Sequence, residues 1–384
     1  MQRGAPIAIL GGGPAGLACA LMLARSGRES IVFDAQPEGQ AHGDKRLLAL
    51  ARGSWEILQP LLARLPERAP ITDVHVSSAG EFGATHIAAR DFDCAELGAT
   101  AFYGNLVAAL EEAVARSPLV VLHRARRVVE VQQAPDLVRV VCAGADPVAA
   151  TLAINAEGGP LAFAEGMQSG MQSDDADVPV ALTGDLSLAH VADGAAFERF
   201  TREGPLALLP RPGAPRQHTL VWCMSAAAAE QRLALTPAGL RDALQAAIGS
   251  RIGKVETIGS LHRYRLHERM REDVQSHRCV AVGNAAQTLH PVAGQGFNLA
   301  LRDCASLLDC LVTHADRVPN ALADYARRRR VDRTAIASIT HWLPRVFATR
   351  FAPVAFARTL GLTALDLLPP LRNELAQLLM FGVR

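Results

Sequence analysis

The sequence predicts a mixed α/β fold in which a parallel βαβ unit and an antiparallel sheet precede a helical C-terminal region. Three observations support this fold class. The chain opens with an apolar strand, a glycine-rich turn and a helix, and its middle alternates apolar and polar residues between Pro and Gly turns. After Leu322, helical periodicity continues to the end. With 384 residues, the chain can form one large domain or two interleaved domains.

Composition excludes several classes of protein. The formal net charge is +1 and the basic residues are dispersed, so we expect no nucleic-acid partner. Seven cysteines are scattered without a CxxC pair or metal-ligand spacing, which predicts neither a metal site nor disulfides and favours a reducing cytoplasm. We see no secretion signal and no apolar window of about 18 residues, so we expect no spanning helix. Surface contact with the inner face of the cytoplasmic membrane stays open.

The N-terminal stretch predicts a phosphate-binding turn. An apolar run from Ile7 to Leu10 leads into Gly11-x-Gly13-x-x-Gly16, and a helix is expected from Pro14 to Arg25. The first two glycines permit a tight turn and close approach of a pyrophosphate, and the third lets helix and strand pack. The positive end of the helix dipole attracts the negative charge.

A second strand, from Ser30 to Phe33, ends at Asp34, whose carboxylate could accept hydrogen bonds from ribose hydroxyls. With a strand before the glycines, a helix after them and this acid on the next strand, the pattern predicts a dinucleotide site. It fits an NAD dehydrogenase and an FAD enzyme equally well.

The middle of the chain predicts a change of architecture. A helix is expected from Leu106 to Ala115, strands between Leu119 and Val131, and a buried strand that ends at Glu157-Gly158. The Gly-, Met- and Ser-rich stretch from Gly159 to Asp175 suggests a mobile loop at a domain crossing. Antiparallel strands are then expected at Leu182–Val191, Leu206–Leu209 and His218–Met224.

A second glycine loop decides between the two cofactors. It lies in VGNAAQTLHPVAGQGFNLALRD, residues 282–303, and precedes a helix with one apolar face formed by Ala300, Cys304, Leu307, Leu308 and Leu311. The amides from Gly294 to Phe297 would point at an electron-rich group. A reduced flavin carries negative charge around N1 and the C2 carbonyl, which a helix N-terminus stabilises by about 0.3–2 kcal/mol. The His290-Pro291 turn would cover one face of the ring, so FAD is favoured.

The chain resembles the single-component FAD aromatic monooxygenases of the para-hydroxybenzoate hydroxylase fold, and within them the ubiquinone-biosynthesis hydroxylases. The resemblance covers the chain from end to end. Its motifs are GGGPAGLACALMLARSG, DKRLLAL with Asp44 and Arg46, VHVSSAGEFGAT from Val74, AFERFTREGPLALLP from Ala196, GNAAQTLHPVAGQGFNLALRD, and YARRRRVDR from Tyr325.

The resemblance implies a role for each matching residue. The adenosine and pyrophosphate of FAD would lie against Asp34 and the first loop, and Arg46 would contact the pyrophosphate or ribityl chain. Asn284 stands where most of the superfamily has an Asp that binds the ribityl hydroxyls, and its amide oxygen can still accept that bond. The full set of expected cofactor-binding residues is Gly11, Gly13, Pro14, Ala15, Gly16, Asp34, Arg46, Asn284, Gly294, Gln295, Gly296, Phe297 and Asn298.

The implied reaction is hydroxylation of a prenylated phenol with O₂, through a flavin C4a-hydroperoxide, with NAD(P)H as electron donor. The sequence shows no catalytic triad and needs none, because a phenol activates its own ring. His290 and Pro291 are the catalytic candidates, and ordering of the loop is the favoured role for His290. Glu157-Gly158 departs from the family's usual Asp-Gly, which weakens the match for nicotinamide binding.

The expected domains are interleaved. Residues 1–75, 100–165 and 270–325 would form a Rossmann-type FAD domain, and residues 76–99 and 166–269 a substrate domain with an antiparallel sheet. Residues 326–384 would form the C-terminal helical region.

Three further features have competing interpretations. Arg199 and Phe200 lie on a strand expected to face the active site, where packing is at least as good an explanation as substrate contact. The arginines of residues 327–330 are expected to form a solvated helix face rather than a phosphate site. Two apolar stripes could dock on the core, a partner protein or lipid. They comprise Trp342, Val346, Phe347 and Phe351, and Leu371, Leu375, Leu378 and Leu379.

Two alternative functions remain open at the level of sequence. A flavoprotein-like subunit could bind prenylated intermediates or partner enzymes of quinone biosynthesis without turning over. A flavin hydroxylase could also act on a soluble aromatic compound.

Overall fold

The computed structural model describes residues 5–80, 84–157, 178–289, 294–315, 317–348 and 368–382. Within them the helices are α1 (Pro14–Arg25), α2 (Arg52–Leu58), α3 (Tyr103–Ala115), α4 (Ala226–Leu233), α5 (Pro237–Ile248), α6 (Gln295–Thr313), α7 (Val318–Ala348) and α8 (Pro369–Phe381). The bounds predicted for the first helix are confirmed. The expected mobile loop, residues 159–175, lies outside the described residues.

The strands of the described residues are β1 (Ile7–Leu10), β2 (Ser30–Phe33), β3 (Leu47–Ala51), β4 (Arg68–Ile71), β5 (Asp73–Ser78), β6 (Ala84–Ala88), β7 (Gly98–Phe102), β8 (Val120–His123), β9 (Val128–Gln133), β10 (Val138–Cys142), β11 (Val148–Ala150), β12 (Leu152–Asn155), β13 (Val180–Ala189), β14 (Ala195–Phe200), β15 (Pro205–Pro210), β16 (Gln217–Met224), β17 (Lys254–Ile258), β18 (His262–Arg265), β19 (Arg269–Met270), β20 (Gln275–Ser276), β21 (Cys279–Ala281) and β22 (Gln287–Thr288).

A six-stranded sheet carries the two glycine loops. Its order is β20-β21-β12-β1-β2-β8, and all pairs are parallel except β20 with β21. Every residue of β1 is buried, as expected for a parallel strand covered on both faces. Helices α1, α3 and α6 pack into the same apolar core, to which Leu17, Leu106 and Leu307 contribute. The carboxyl ends of β1, β2, β8, β12 and β21 therefore meet at one edge, where open α/β sheets bind ligands.

The large second sheet has the order β17-β13-β16-β15-β14-β5-β6, with β18 paired to β13. Its pairs are antiparallel except β14 with β5, in agreement with the predicted antiparallel sheet. Helices α4 and α5 cover one face, where Trp222 and Leu206 pack with Leu244 and Ile248. On the opposite face of this sheet, Val74 and Ile87 pack against α8, near one end of that helix.

A small sheet, β3-β7-β4, links the two larger sheets. The Thr100 hydroxyl on β7 donates a hydrogen bond of 2.6 Å to the carbonyl of Pro210 at the end of β15. The Arg211 guanidinium lies 5.5 Å from the ring centroid of Phe102. These contacts join the small sheet to the end of β15 in the large sheet.

The arginines at positions 327–330 of α7 are not all exposed to solvent, as the sequence had predicted them to be. Arg327, Arg328 and Arg330 are exposed, but Arg329 is buried between α6 and α7. Its Nε donates to Asp303 Oδ1 at 2.8 Å, and its Nη1 lies 2.7 Å from Asp332 Oδ2. The expectation of a uniformly solvated face was wrong at this position, because one residue of the run faces α6 and finds two buried carboxylates there.

Helix α8 packs on the protein through Ala376, Met380 and Phe381, and Leu378 is half-buried. The side chains of Leu371, Leu375 and Leu379, and those of the Trp342 stripe, lie outside the described residues. Among the described residues, no helix is both long and apolar enough to cross a membrane.

Candidate functional site

The first glycine loop closes tightly where β1 meets α1. Gly11 has a φ of +102°, a value that side chains rarely adopt. A Cβ on Gly16 would lie 1.9 Å from the Gly11 carbonyl oxygen, so only glycine allows helix and loop to approach this closely. A Cβ on Gly11 would lie 2.9 Å from the backbone nitrogen of Glu157 at the end of the neighbouring strand. The loop thus fits the pattern that brings backbone amides close to a pyrophosphate.

The start of α1 has no side-chain cap. Gly13 is the N-cap residue and makes no side-chain hydrogen bond, and Pro14 occupies the first turn. A Cβ on Gly13 would lie 3.2 Å from the hydroxyl of Tyr103, which marks the near wall of the space in front of the helix. An uncapped helix start with small residues in its first turn is suited to an anion.

Asp34 organises the loop as well as facing the space beside it. Its Oδ2 accepts from the Gly12 amide at 2.6 Å, and its Oδ1 accepts from the Gln36 amide at 2.6 Å. Arg124 Nη1 lies 3.1 Å from Oδ2. A carboxylate has about four lone-pair sites, so these three contacts leave room for one further donor.

Sequence reasoning missed Arg124. Its guanidinium donates to the Gly12 carbonyl at 3.1 Å and also pairs with Glu111 of α3. It borders a cavity of about 610 Å³ that Glu38, Glu111 and Arg126 also line. A signal was present, because Arg124 directly follows β8, whose carboxyl end lies beside that of β2 in the parallel sheet.

Glu157 lies against the first loop, at the end of β12. Its backbone amide donates to Asn155 Oδ1 at 2.9 Å, which fixes the turn after the strand. Burial, together with the nearby negative charge of Asp34, raises the pKa of its carboxyl group, although Arg127 acts in the opposite direction. The side chain that departs from the family pattern therefore forms part of the site wall. Gly158 lies outside the described residues.

The second loop reaches the same edge of the sheet. After β21, residues 283–285 form a short 3-10 helix, and α6 begins after Gly294, whose φ is +60°. Among the described residues, no side chain caps α6, and the one atom within 4 Å of a Cβ on Gly296 would be Asn284 Oδ1, at 4.0 Å. No described atom crowds the first turn of α6 more closely on the side where Asn284 lies. His290 and Pro291 lie outside the described residues.

Asn298 fixes the position of that helix start. It is 1% exposed, its Oδ1 accepts from the Ala51 amide at 2.9 Å, and its Nδ2 donates to the carbonyls of Ala49 and Gly294. Its side chain is therefore fully engaged with backbone groups and holds α6 against β3. Gln295 is buried, and Phe297 packs at the margin of the core.

Helices α1 and α6 bring the two loops together. A Cβ on Gly283 would lie 2.7 Å from the Ala300 Cβ and 3.8 Å from the Ala15 Cβ. The thiol of Cys304 lies 3.7 Å from the Ala15 carbonyl oxygen. Residues more than 260 positions apart in the chain therefore form one site with two uncapped helix starts.

A buried carboxylate holds the second loop from behind. Asp303 is 0% exposed, and its Oδ2 accepts from the Gly283 amide at 3.0 Å and from Gln287 Nε2 at 2.9 Å. Its other oxygen binds Arg329, so the loop, α6 and α7 are joined through one side chain. Sequence reasoning did not single out Asp303 for this role.

Arg46 lies at the rim of the site. Its Nη2 is 2.6 Å from Asp44 Oδ2, and its guanidinium stacks 4.4 Å from the ring centroid of Tyr103. Burial opposes ionisation of Asp44, but the hydrogen bonds and charge of Arg46 outweigh it and lower the pKa of Asp44. About half of the Arg46 side chain stays exposed, so it can still contact a bound group.

Arg199 and Phe200 cannot both face the site, because neighbouring residues on a strand point to opposite faces. Arg199 Nε donates to the carbonyl of Ala247 on α5 at 2.9 Å. Arg199 therefore lies on the face covered by α5, and this contact agrees with the packing role that the sequence left open beside substrate contact.

The residues present fit FAD. Glycines that leave no room for a Cβ form the first loop, where the pyrophosphate would approach, and the starts of α1 and α6 lie at the same edge of the parallel sheet. Fold and site together define the class of FAD-dependent monooxygenases that hydroxylate aromatic rings. The chain belongs to the FAD binding domain family, whose sequence profile matches residues 4–338.

Relatives place the chain in the ubiquinone-biosynthesis branch of these FAD monooxygenases. It is 31% identical to the ubiquinone hydroxylase UbiL of Rhodospirillum rubrum, with 96% of this chain and 88% of that protein covered. It is 27% identical to the 3-demethoxyubiquinol 3-hydroxylase of Escherichia coli, with 94% of each covered. The expected family and branch are confirmed.

A solved structure supports the fold. The p-nitrophenol 4-monooxygenase PnpA from Pseudomonas putida superposes with a TM-score of 0.78 at 15% identity, over 100% of both chains. At this identity the similarity concerns the fold, and it confirms the predicted architecture.

Proposed function

We propose that this enzyme inserts one oxygen atom from O₂ into the ring of a polyprenylated phenol during ubiquinone biosynthesis. The observation that carries the proposal is the junction of two uncapped helix starts at one sheet edge, one behind Gly13 and one behind Gly294. Membership of the ubiquinone-biosynthesis branch supports the pathway, since relatives named for ubiquinone and demethoxyubiquinol hydroxylation cover most of the chain.

We assign the two halves of FAD to the two loops. The first loop, Gly11, Gly13, Pro14, Ala15 and Gly16, would bind the pyrophosphate, with Asp34 at the adenosine ribose and Arg46 at the rim. Asn284 and the segment from Gly294 to Asn298 would bind the ribityl chain and the isoalloxazine ring. Arg124 would hold the adenosine side in shape, because it already joins Gly12, Asp34 and Glu111.

The expected domain division remains our proposal. Residues 1–75, 100–165 and 270–325 would carry the cofactor, residues 76–99 and 166–269 would supply the substrate sheet, and residues 326–384 would complete the C-terminal region. The sheet pairings are compatible with interleaved units, because β5 pairs with β14 across more than 100 residues of chain and carries β6 at its other edge.

When bound and reduced by NAD(P)H, FAD supplies the oxygen chemistry, by the hydroperoxide route that the family resemblance implies. The protein's part is to orient the ring, to exclude water and to favour negative charge beside the first turn of α6. A phenol needs little further activation. His290 and Pro291 stay candidate residues for deprotonating the phenol or shielding the flavin.

Within this branch, the sequence motifs resemble those of 2-polyprenyl-6-methoxyphenol hydroxylase, and this resemblance motivates the proposed substrate. A prenylated phenol resides in the bilayer, so we infer peripheral contact with the inner face of the cytoplasmic membrane. Contact with other quinone-biosynthesis proteins would also bring the prenylated phenol to the enzyme.

Deletion of the gene in its host tests the proposal. We expect loss of ubiquinone and accumulation of a prenylated phenol that lacks one ring hydroxyl, identified by mass spectrometry. Unchanged quinone would contradict the assignment to this pathway. Stimulation of the purified enzyme by small soluble phenols, but not by prenylated ones, would instead indicate a soluble aromatic substrate.

A further inference from the structure

A second cavity lies on the large sheet, away from the glycine loops. Its volume is about 600 Å³, and its lining residues belong to β5, β6, β14, the turn after β13 and the connection from α5 to β17. None of these elements carries a residue of the first or second loop. The cavity is on the face of the sheet that α5 covers, because Phe197 and Ile248 line it and also belong to the core beneath that helix.

Cationic and imidazole side chains surround this cavity. They are His75, His86, His190, Arg199 and Arg251, and no Asp or Glu side chain is among the lining residues that the structure describes. On β5, the carboxylate of Asp73 is already bound to His86 Nε2 at 2.8 Å. The cavity therefore concentrates groups that favour an anion.

Two hydrogen bonds fix the orientation of the Arg199 guanidinium. Its Nε donates to the Ala247 carbonyl and its Nη1 to the Ser77 hydroxyl, each at 2.9 Å. Its third nitrogen, Nη2, has no hydrogen-bond partner among the described residues, and a Cβ on Gly249 would lie 3.1 Å from it. Within the described part of the chain, Arg199 and Arg251 have no carboxylate within salt-bridge distance, so none of the described residues neutralises the half-buried charge of Arg199.

The histidines provide a flat second wall. The rings of His75 and His86 stack with centroids 4.3 Å apart and an interplanar angle of 9°. The ring of Phe197 also stacks on His75, and their centroids are 5.1 Å apart. Among the described residues, no group of three His, Cys, Asp or Glu side chains is arranged to hold a metal ion. Imidazole nitrogens can also donate hydrogen bonds to a bound oxyanion.

We propose that this cavity binds a phosphate monoester whose organic part is apolar. Arginine forks match the oxygens of a phosphate group, and Arg199 and Arg251 approach the cavity from two different elements. Ser77 and Ser250 add hydroxyl groups, while Phe197, Ile248 and Ile252 form an apolar wall. The volume suits a small-molecule ligand rather than a bare ion. The phosphate monoester could be a free metabolite or the headgroup of a lipid.

Isothermal titration of the FAD-loaded enzyme with inorganic phosphate and hexyl phosphate tests the proposal. Vesicle flotation would use phosphatidylcholine with or without phosphatidic acid. The variants are Arg251→Gln, at an exposed position, and Arg199→Gln, and the control is Arg241→Gln on the exposed surface of α5. We expect saturable binding of hexyl phosphate or of phosphatidic acid vesicles, weakened about tenfold or more by both variants. The control and the flavin content should not change.

Binding of both soluble phosphates would identify a free metabolite as the source, and binding of the acidic vesicles alone would identify a lipid headgroup. Failure of all three probes to bind would overturn the proposal, as would equal weakening by Arg241→Gln. If the proposed function is correct, Arg251→Gln should keep its flavin content and its hydroxylation activity, because that residue lies outside the cofactor site. Failure of the anion-binding proposal can therefore be distinguished from failure of the proposed function.

Discussion

At the scale of single residues, several glycines of the candidate site matter because they have no side chain. Gly11 and Gly16 bring the loop against the helix, and Gly13 and Gly296 leave space in front of two helix starts. Charged side chains then shape the surroundings, with Asp34 and Arg124 bound to the loop backbone and Glu157 behind it. Small changes at Gly13 and Gly296 should therefore affect cofactor binding more than stability.

Gly13→Asp should abolish FAD retention. An Asp at this N-cap position would satisfy the first amides of α1 and place a negative charge where the pyrophosphate would lie. The thermal midpoint of the apoprotein should hold or rise, while the flavin released on denaturation falls to background. Gly13→Ala separates size from charge and should retain much of the flavin. Gly239→Asp, in the first turn of α5, is the matched control, and normal flavin in Gly13→Asp would refute the site.

Gly296→Val should impair flavin binding and reduction without unfolding the protein. The added methyl groups would enter the space beside Asn284, where no other described atom lies within 4 Å of the new Cβ. Valine also has a better helix propensity than glycine, so α6 itself should not weaken. Flavin content and the rate of reduction by NAD(P)H are the measurements, with Gly296→Ala as an intermediate. Unaltered reduction in the valine variant counts against this orientation of the ring.

Glu157→Gln should stabilise the apoprotein at neutral and alkaline pH. Burial and Asp34 raise the pKa of Glu157 in the folded protein, so its ionisation costs stability as pH rises from the unfolded pKa through the folded one. The variant removes that cost. Its gain in thermal midpoint should be present at pH 8 and shrink as the pH falls below the unfolded pKa, because the Glu157 carboxyl of the parent protein then becomes protonated in both the folded and the unfolded state. A gain that is independent of pH would show that ionisation is not the cause.

Among the elements, the pairing of α6 with α7 does most to position the second loop. Asp303 binds the loop backbone on one side and Arg329 on the other, and Arg302 joins Asp332 at 3.1 Å. The Tyr325 hydroxyl donates to the Ala281 carbonyl at the end of β21, and Arg333 donates to Gln287. The end of β21 and the loop after it are thus held by buried polar contacts from both helices.

Arg329→Met should be strongly destabilising. Removing this guanidinium leaves Asp303, which is 0% exposed, without its ion-pair partner and leaves Asp332 paired with Arg302 alone. Loss of one partner of a buried ion pair typically costs about 3–5 kcal/mol. Denaturant unfolding gives the free energy directly. Arg330→Met, at the neighbouring exposed position, is the control and should change it by no more than about 0.5 kcal/mol. Equal effects of the two substitutions would mean that the buried pairing is not what joins the helices.

For the molecule as a whole, local patterns predicted the elements well. The strand, glycine turn and helix of residues 7–25 depend on neighbouring residues, and so their bounds could be read directly. Arg124, Asp303 and the burial of Arg329 could not, because each depends on contacts between segments far apart in the chain. The face occupied by Arg199 likewise required knowledge of where α5 packs.

The most direct test of the central claim is oxygen incorporation by the purified enzyme. FAD-loaded protein, NAD(P)H and a polyprenylated phenol would be incubated under ¹⁸O₂, and the product analysed by mass spectrometry. We expect a product with one new hydroxyl group that carries ¹⁸O, and we expect Gly13→Asp to form none of it. Consumption of O₂ that yields only hydrogen peroxide, with the phenol recovered unchanged, would contradict it.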